Sequence, residues 1–151
     1  MSVEDPLNLD AQLCFPLYVA ARAVTQAYSP LLSKLGLTYP QYLVMLVLWE
    51  TDGVTVKALG ERLFLDSGTL TPLLKRLEAQ GLVKRERSTE DARSVRVHLA
   101  TQGRALRRKA VAIPEAMVCK MGLSREELSR LRRDVQRLFA ALSKSQPEPS
   151  K

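Results

Sequence analysis

A chain of 151 residues, 46% hydrophobic and 26% charged, has room for one compact domain with extra helices for assembly. The longest uncharged stretch, Leu35 to Trp49, is shorter than the roughly 20 apolar residues a membrane helix needs. The acidic start (Glu4, Asp5, Asp10) lacks the basic cluster of a secretory leader, so a soluble, cytoplasmic chain with no membrane partner is expected. Residues 75–109 hold eleven Lys or Arg against four Asp or Glu, a surplus equal to the whole net charge of +7; elsewhere there are twelve of each sign. Such a local basic surface suits a phosphate backbone, although a solvated basic face is the plainer alternative.

In chain order, Leu9 to Leu32 reads as one long helix, interrupted only by Pro16 and Pro30. Pro16 cannot bond the carbonyl of Gln12, so the helix must start later than its apolar pattern or bend there. Thr38-Tyr39-Pro40-Gln41 is a capping box with proline in the first turn, opening an apolar helix to Trp49. Thr55 caps a short helix, Val56 to Leu63, expected to bury Val56, Leu59 and Leu63. Leu65 to Thr69 is a polar turn leading into a second helix that runs to Gln80 and stops at Gly81. Leu70, Leu73, Leu74 and Leu77 form its apolar stripe. Gly68, Thr71, Pro72 and Lys75 lie opposite, with Thr69 and Arg76 on the flank. Two helices with this outer face make a helix-turn-helix pattern. Pro72 is compatible with it if the second helix starts near Thr69, with the proline in its first turn.

The period then changes to two. Val95, Val97 and Leu99 alternate with Ser94, Arg96 and His98, and Leu82 to Arg87 is a partner strand, with Ser88 to Arg93 as a polar tip. This hairpin is a wing, with Arg85, Arg87, Arg93 and Arg96 at its tip and base. Thr101 caps a further helix bearing Leu106, Ala110, Ile113 and Met117 on one face, and Pro114 should kink it. Ser124-x-x-Glu127 is a second capping box. Leu128, Leu131, Val135, Leu138 and Leu142 follow at heptad spacing, which asks either for a partner helix or for packing within the chain. The expected fold is mainly α with a small β-hairpin wing. It is a single domain over 1–151, with helix-turn-helix and wing at about 55–99 and dimerisation helices at about 9–33 and 101–143. The polar, proline-bearing ends, Met1 to Asp5 and Ser145 to Lys151, are expected to fray.

This order of elements, with Asp91-x-Arg93 at the wing tip, resembles the MarR (multiple antibiotic resistance regulator) family. Three segments are similar to its organic hydroperoxide resistance regulators: Leu13-Cys14-Phe15-x-Leu17-Tyr18, Thr38 to Tyr42, and Leu65 to Arg76. The resemblance covers about Leu9 to Leu142. It implies a homodimeric repressor on pseudopalindromic double-stranded operator DNA. Ser67, Thr69, Thr71, Lys75 and Arg76 would then face the major groove. Arg93 would enter the minor groove, its guanidinium oriented by Asp91. Hydroxyl and basic side chains suit phosphates and base edges, and arginine suits a narrow minor groove.

Two cysteines in a chain of this kind are ordinarily buried small hydrophobes. Cys14 stands out through its neighbours: Tyr18 lies one turn along, and Leu13, Phe15 and Leu17 favour an organic over an inorganic peroxide. A thiol becomes peroxide-reactive when hydrogen bonds or positive potential stabilise its thiolate. The resemblance gives that role to Tyr28 and Tyr39 of a second subunit. It makes Cys119 the thiol that resolves the Cys14 sulfenic acid as an intersubunit disulfide. No metal spacing, cofactor motif or catalytic set is visible, and His98, the single histidine, reads as structural or phosphate-facing. The leading expectation is a repressor, not an enzyme, that senses organic hydroperoxide through Cys14 and leaves its operator. The alternatives are a winged-helix repressor released by a small phenolic or lipophilic ligand, and a thiol peroxidase.

Overall fold

A computed structural model describes residues 5–145. The ends expected to fray fall mostly outside these residues. The chain divides into two compact units at Ala112–Ile113.

In the first unit, a 3-10 turn at Leu9–Ala11 precedes helix α1, Cys14–Ser33. The continuous helix expected from Leu9 is therefore broken, and Pro16 explains where. With the helix starting at Cys14 the proline is its third residue, where the amide has no intrahelical partner to lose. Helix α2, Tyr39–Glu50, opens on the expected capping box. Gln41 N–H donates to Thr38 Oγ1 at 3.4 Å, and Thr38 N–H donates to Gln41 Oε1 at 3.0 Å. Val44, Met45 and Leu48 of α2 are fully buried. Each such side chain contributes about 1.5–3 kcal/mol by leaving water.

Strand β1, Val54–Thr55, was not foreseen, because two residues carry no readable alternation. Helix α3, Val56–Leu63, is capped by Thr55 Oγ1, which accepts from Ala58 N–H at 3.0 Å. Leu59 and Gly60 are buried, whereas Val56 and Leu63 are only half-buried, a narrower buried face than the periodicity implied. α3 ends at Phe64, whose left-handed backbone (φ 56°, ψ 40°) costs a side-chain-bearing residue about 1–2 kcal/mol.

Helix α4, Ser67–Ala79, is capped by Asp66, whose Oδ1 accepts from Thr69 N–H at 2.7 Å. Pro72 is thus its sixth residue and lies past the first turn. It withholds a bond from the Gly68 carbonyl, and both residues are on the exposed face, where solvent can replace that bond. Leu70, Leu74 and Leu77 are buried and Leu73 half-buried. α4 gives way to strand β2 through Gly81, at φ 74°, the left-handed stop expected of it.

Strands β2, Val83–Arg87, and β3, Val95–Leu99, pair antiparallel with Val83 opposite Leu99 and Arg87 opposite Val95. β1 adds to the other edge of β3, with Val54 opposite Val97, giving the order β1-β3-β2. Helix α5, Thr101–Ala110, follows. Its cap residue is Ala100, so Thr101 is the first helical residue and does not cap it. Gly103 is where α5 meets the start of the hairpin: a Cβ there would sit 2.1 Å from the Leu82 carbonyl oxygen. From α2, Trp49 Nε1 donates to the Gly103 carbonyl at 2.9 Å.

Asp52 ties these pieces together. Its Oδ1 accepts from Leu99 N–H at 2.7 Å and Gly53 N–H at 2.9 Å, and its Oδ2 from Arg104 Nη2 at 3.0 Å. Burial pushes this carboxyl upward, but the Leu99 N–H, the Arg104 guanidinium and the Gly53 N–H outweigh it and hold it below its usual value. A depressed folded value contributes stability above the unfolded carboxylate range, about pH 4, and that stability is lost as pH falls through the folded value. Melting temperature should therefore fall more steeply below about pH 4 in the natural chain than in Asp52→Asn, which should already be less stable at neutral pH. Parallel acid slopes in thermal melts of the two proteins would remove Asp52 from this role.

The second unit holds helices α6, Ile113–Met121, and α7, Arg125–Lys144. The kink expected at Pro114 is instead a break before Ile113, with Pro114 second in α6, where it costs no hydrogen bond. The Ser124 capping box forms as expected: Glu127 N–H donates to Ser124 Oγ at 3.1 Å and Ser124 N–H to Glu127 Oε2 at 2.7 Å. α7 has no buried residue. Leu131, Val135 and Leu142 are exposed and Leu128 and Leu138 half-buried, so the heptad stripe stays largely uncovered in the single chain.

Candidate nucleic-acid interface and thiol site

The outer face of α4 carries Ser67, Thr69, Lys75 and Arg76 exposed, with Thr71 half-buried among them. The Thr69 N–H and hydroxyl both bond Asp66, which holds that carboxyl below its usual value and fixes the first turn of the helix. A loop of polar contacts fixes the other end. Gln80, the C-cap, donates through Nε2 to the Gly36 carbonyl at 2.7 Å, and its Oε1 accepts from Gln41 Nε2 at 3.4 Å. Gln41 is buried and also serves the Thr38 cap. The end of α4 is thereby joined to the residue pair that opens α2. In the sequence Gln41 shows only as a cap and Gln80 only as a helix end, because their contact spans 39 positions.

The arginines of the hairpin divide into two groups. Arg85 is committed within the fold: its Nε donates to Glu78 Oε2 at 3.2 Å, and its backbone N–H to the same oxygen at 3.0 Å. Arg96 Nη1 donates to the Gly53 carbonyl at 2.8 Å, bracing the loop before β1. Toward the tip, Arg87 Nη1 donates to the Ala92 carbonyl at 3.2 Å, and Arg93 is exposed. Asp91 was expected to orient the Arg93 guanidinium. Its Oδ1 instead accepts from the Arg93 backbone N–H at 3.0 Å, so it sets the turn and leaves the guanidinium outward. His98 is half-buried on β3, with Nε2 3.9 Å from Glu86 Oε2.

Cys14 and Cys119 are both free and exposed, the first opening α1 and the second on α6. Leu13, Phe15 and Tyr18, all exposed, surround Cys14 in sequence, and the Arg22 guanidinium lies 5.6 Å from the centre of the Tyr18 ring. Tyr28 and Tyr39 stack together, with ring centres 4.9 Å apart, and Tyr42 lies 5.7 Å from Tyr28. Burial raises all three phenols above their usual value; the nearby Tyr39 adds to the rise at Tyr28, and Tyr28 and Tyr39 add to it at Tyr42. Tyr42 is pushed up to about 12. These groups therefore remain hydroxyl donors at neutral pH. Tyr28 is fourteen residues beyond Cys14 on the same helix, about 21 Å along its axis at about 1.5 Å per residue. Within one chain the phenol pair and the thiol stay apart. Among the described residues no three His, Cys, Asp or Glu side chains gather as a metal site, and no helix is long and apolar enough to cross a membrane.

Residues 26–110 match the family model described as transcriptional regulator SarA/Rot. The organic hydroperoxide resistance transcriptional regulator of Bacillus subtilis (strain 168) is 50% identical over 138 residues, which cover 91% of this chain and 94% of that protein. Among solved structures, AbfR of Staphylococcus epidermidis is 37% identical, covering 91% of this chain and 95% of that one, at a TM-score of 0.71. Reduced AbfR bound to DNA superposes at a TM-score of 0.73 with 38% identity, covering 89% of this chain and 94% of that one. AbfR with its disulfide formed superposes at 0.61 with 38% identity, covering 90% of each chain. Fold, wing and relatives agree: this chain belongs to the MarR-type winged-helix transcriptional regulators, in the group of the organic hydroperoxide resistance regulators.

Proposed function

We propose that the protein is a cytoplasmic, homodimeric repressor that holds a pseudopalindromic operator when reduced and leaves it when an organic hydroperoxide oxidises Cys14. The observation that carries the redox reading is the exposed Cys14 thiol at the head of α1, with Tyr28 of a protonated tyrosine pair about 21 Å further along the same helix. Tyr28 and Tyr39 can serve Cys14 only from a second copy. The uncovered α7 stripe and an open groove on α1, lined by Tyr18, Ala21, Arg22, Thr25 and Gln26, support such a copy. The name of the Bacillus subtilis relative and the reduced and disulfide forms of AbfR support the same chemistry.

The reaction needs no cofactor. The Cys14 thiolate attacks one peroxide oxygen, the O–O bond breaks, and the alkoxide takes a proton and leaves as an alcohol. Cys14 is then a sulfenic acid. The Cys119 thiol attacks that sulfur, an S–S bond forms, and water leaves. The peroxide is reduced by two electrons and the two thiols are oxidised by two. A regulator performs this once and waits for reduction, whereas a peroxidase would turn over with a dithiol.

In the reduced state Ser67, Thr69, Thr71, Lys75 and Arg76 meet the major groove, and Arg93, with Arg87 beside it, meets the minor groove. The bonds that Arg85 and Arg96 make within the fold support a bracing role at the wing base for these two, and Asp91 shapes the tip. Operator binding measured with and without an alkyl hydroperoxide, and again after dithiol reduction, tests the whole reading. Release by a phenolic ligand after both thiols have been alkylated would transfer the protein to the ligand-gated class.

Removing the wing-tip charge separates the two kinds of contact. Arg93→Ala should weaken binding to every operator variant alike and make the slope of log affinity against log salt shallower by about one. Lys75→Ala and Thr71→Ala should instead weaken some operator variants more than others. An Arg93→Ala protein with unchanged affinity and salt slope would take the wing out of the mechanism.

A further inference from the structure

Among the described residues Gln41 is the only buried side chain that is neither apolar nor aromatic, at 5% exposure. Burying a carboxamide costs free energy unless its groups are bonded, a cost that an apolar side chain of the same length would avoid. Both ends of the Gln41 amide are engaged. Its Oε1 accepts from Thr38 N–H at 3.0 Å, which completes the cap of α2, and its Nε2 donates to Gln80 Oε1 at 3.4 Å. Neither helix needs that second bond in order to form. The end of α4 is closed by backbone donors alone: Gln80 N–H bonds the Arg76 carbonyl, Gly81 N–H that of Glu78 and Leu82 N–H that of Leu77. The Gln80 side chain is thus turned away from its own helix and toward α2 and the corner before it.

That corner carries the phenols. Tyr28 lies on α1, Tyr39 is the first residue of α2, and their rings stack across the turn that joins the two helices. Gln80 holds the corner at two points, the Gly36 carbonyl at 2.7 Å and Gln41, two residues past Tyr39. The two bonds are unequal. At 3.4 Å the Gln41–Gln80 bond exceeds the roughly 2.7–3.2 Å usual for N–H···O, so it is the joint that parts first when α2 and α4 move. Coupling between distant sites travels through bonded chains of this kind when they have two arrangements. We infer that Gln41 and Gln80 are positioning residues for operator release: a shift of the phenol pair on oxidation of Cys14 moves the corner, and the Gln80 hold passes that shift to the end of α4. The inference rests on the redox-repressor reading. Since the phenols there serve the thiol of a second copy, each α4 answers to the Cys14 of the other chain.

The test uses the full-length protein, tert-butyl hydroperoxide, and a duplex that the reduced wild-type chain selects from a random-sequence pool. Gln80 is exposed, so Gln80→Met should melt close to the wild-type temperature. It should lose free thiol to the hydroperoxide at the wild-type rate. The ratio of reduced to oxidised affinity for the duplex should nevertheless fall about tenfold or more, because the oxidised variant goes on holding DNA. Gln41→Met should lower the ratio in the same way, and the double variant should lose no more of it than either single one. A purely structural role would weaken reduced and oxidised binding alike and leave the ratio unmoved. In the wild-type protein the side-chain amide NMR signals of Gln41 and Gln80 should differ between the reduced and oxidised forms. An unchanged ratio in Gln80→Met overturns the inference alone. So do additive losses in the double variant, amide signals that stay in place on oxidation, or slowed thiol loss, which gives the pair to the thiol site itself. A wild-type protein that selects no duplex, or that keeps it after oxidation, overturns the redox-repressor reading, and this inference with it.

Discussion

Cys14→Ser should bind operator DNA within about twofold of the natural protein, since the thiol is exposed and far in sequence from α4 and the wing. Organic hydroperoxide should then release none of it. An alcohol does not ionise near neutral pH and forms no sulfenic acid, so the first chemical step has no substitute. Cys119→Ser should divide the process differently. Cys14 still reacts, but its sulfenic acid meets no resolving thiol, so the protein over-oxidises or releases DNA incompletely. On a non-reducing gel the oxidised natural protein should run as a covalent dimer and both single variants as monomers. Release requires that the disulfide favour a geometry unable to hold DNA, because an event that treats both conformations alike shifts nothing. Normal hydroperoxide release by Cys14→Ser would end the redox reading.

Dimerisation should fail when the α7 stripe is charged. Leu131 is 51% exposed and Leu138 half-buried in the single chain, so carboxylates there are tolerable in a monomer. Burying both at a helix–helix seam without partners costs several kcal/mol. Leu131→Asp with Leu138→Asp should therefore sediment as a monomer that keeps its helical circular dichroism. Operator affinity should fall about a hundredfold or more, because two half-site contacts no longer share one complex. The variant should also lose peroxide sensitivity at Cys14 if its phenol donors come from the partner, a readout that a purely structural role for α7 would leave unmoved. A folded dimer from this double variant would show that the stripe is not the seam.

Much of the architecture is written in short-range chemistry. The Thr38 and Ser124 capping boxes, the Thr55 cap, the Gly81 stop and the switch from period 3.6 to period two at the wing each depend on residues within a few positions of one another. Each appears in the folded chain where it was expected. The exposed polar face of α4 was legible for the same reason, since 100° per residue places its side chains without reference to the rest of the molecule.

What the sequence by itself determined is therefore the kind of protein: a helix-turn-helix, a wing, a basic stretch to meet phosphate, and two thiols. The tertiary structure decided which of the named side chains are available. Arg85 and Arg96 look like their neighbours in the sequence, but the fold engages one with Glu78 and the other with the Gly53 carbonyl. Asp91 was read as a partner for a guanidinium and is held by a backbone amide, because the hairpin tip turns tightly enough to present that N–H first. β1, the Gln41–Gln80 contact and the left-handed Phe64 were illegible, since each follows from where distant segments meet or how a turn closes. The separation of Cys14 from Tyr28 follows from the same source. Residue types showed that a thiol and phenols were present, and the unbroken helix from Cys14 to Ser33 holds Cys14 and Tyr28 apart within one chain.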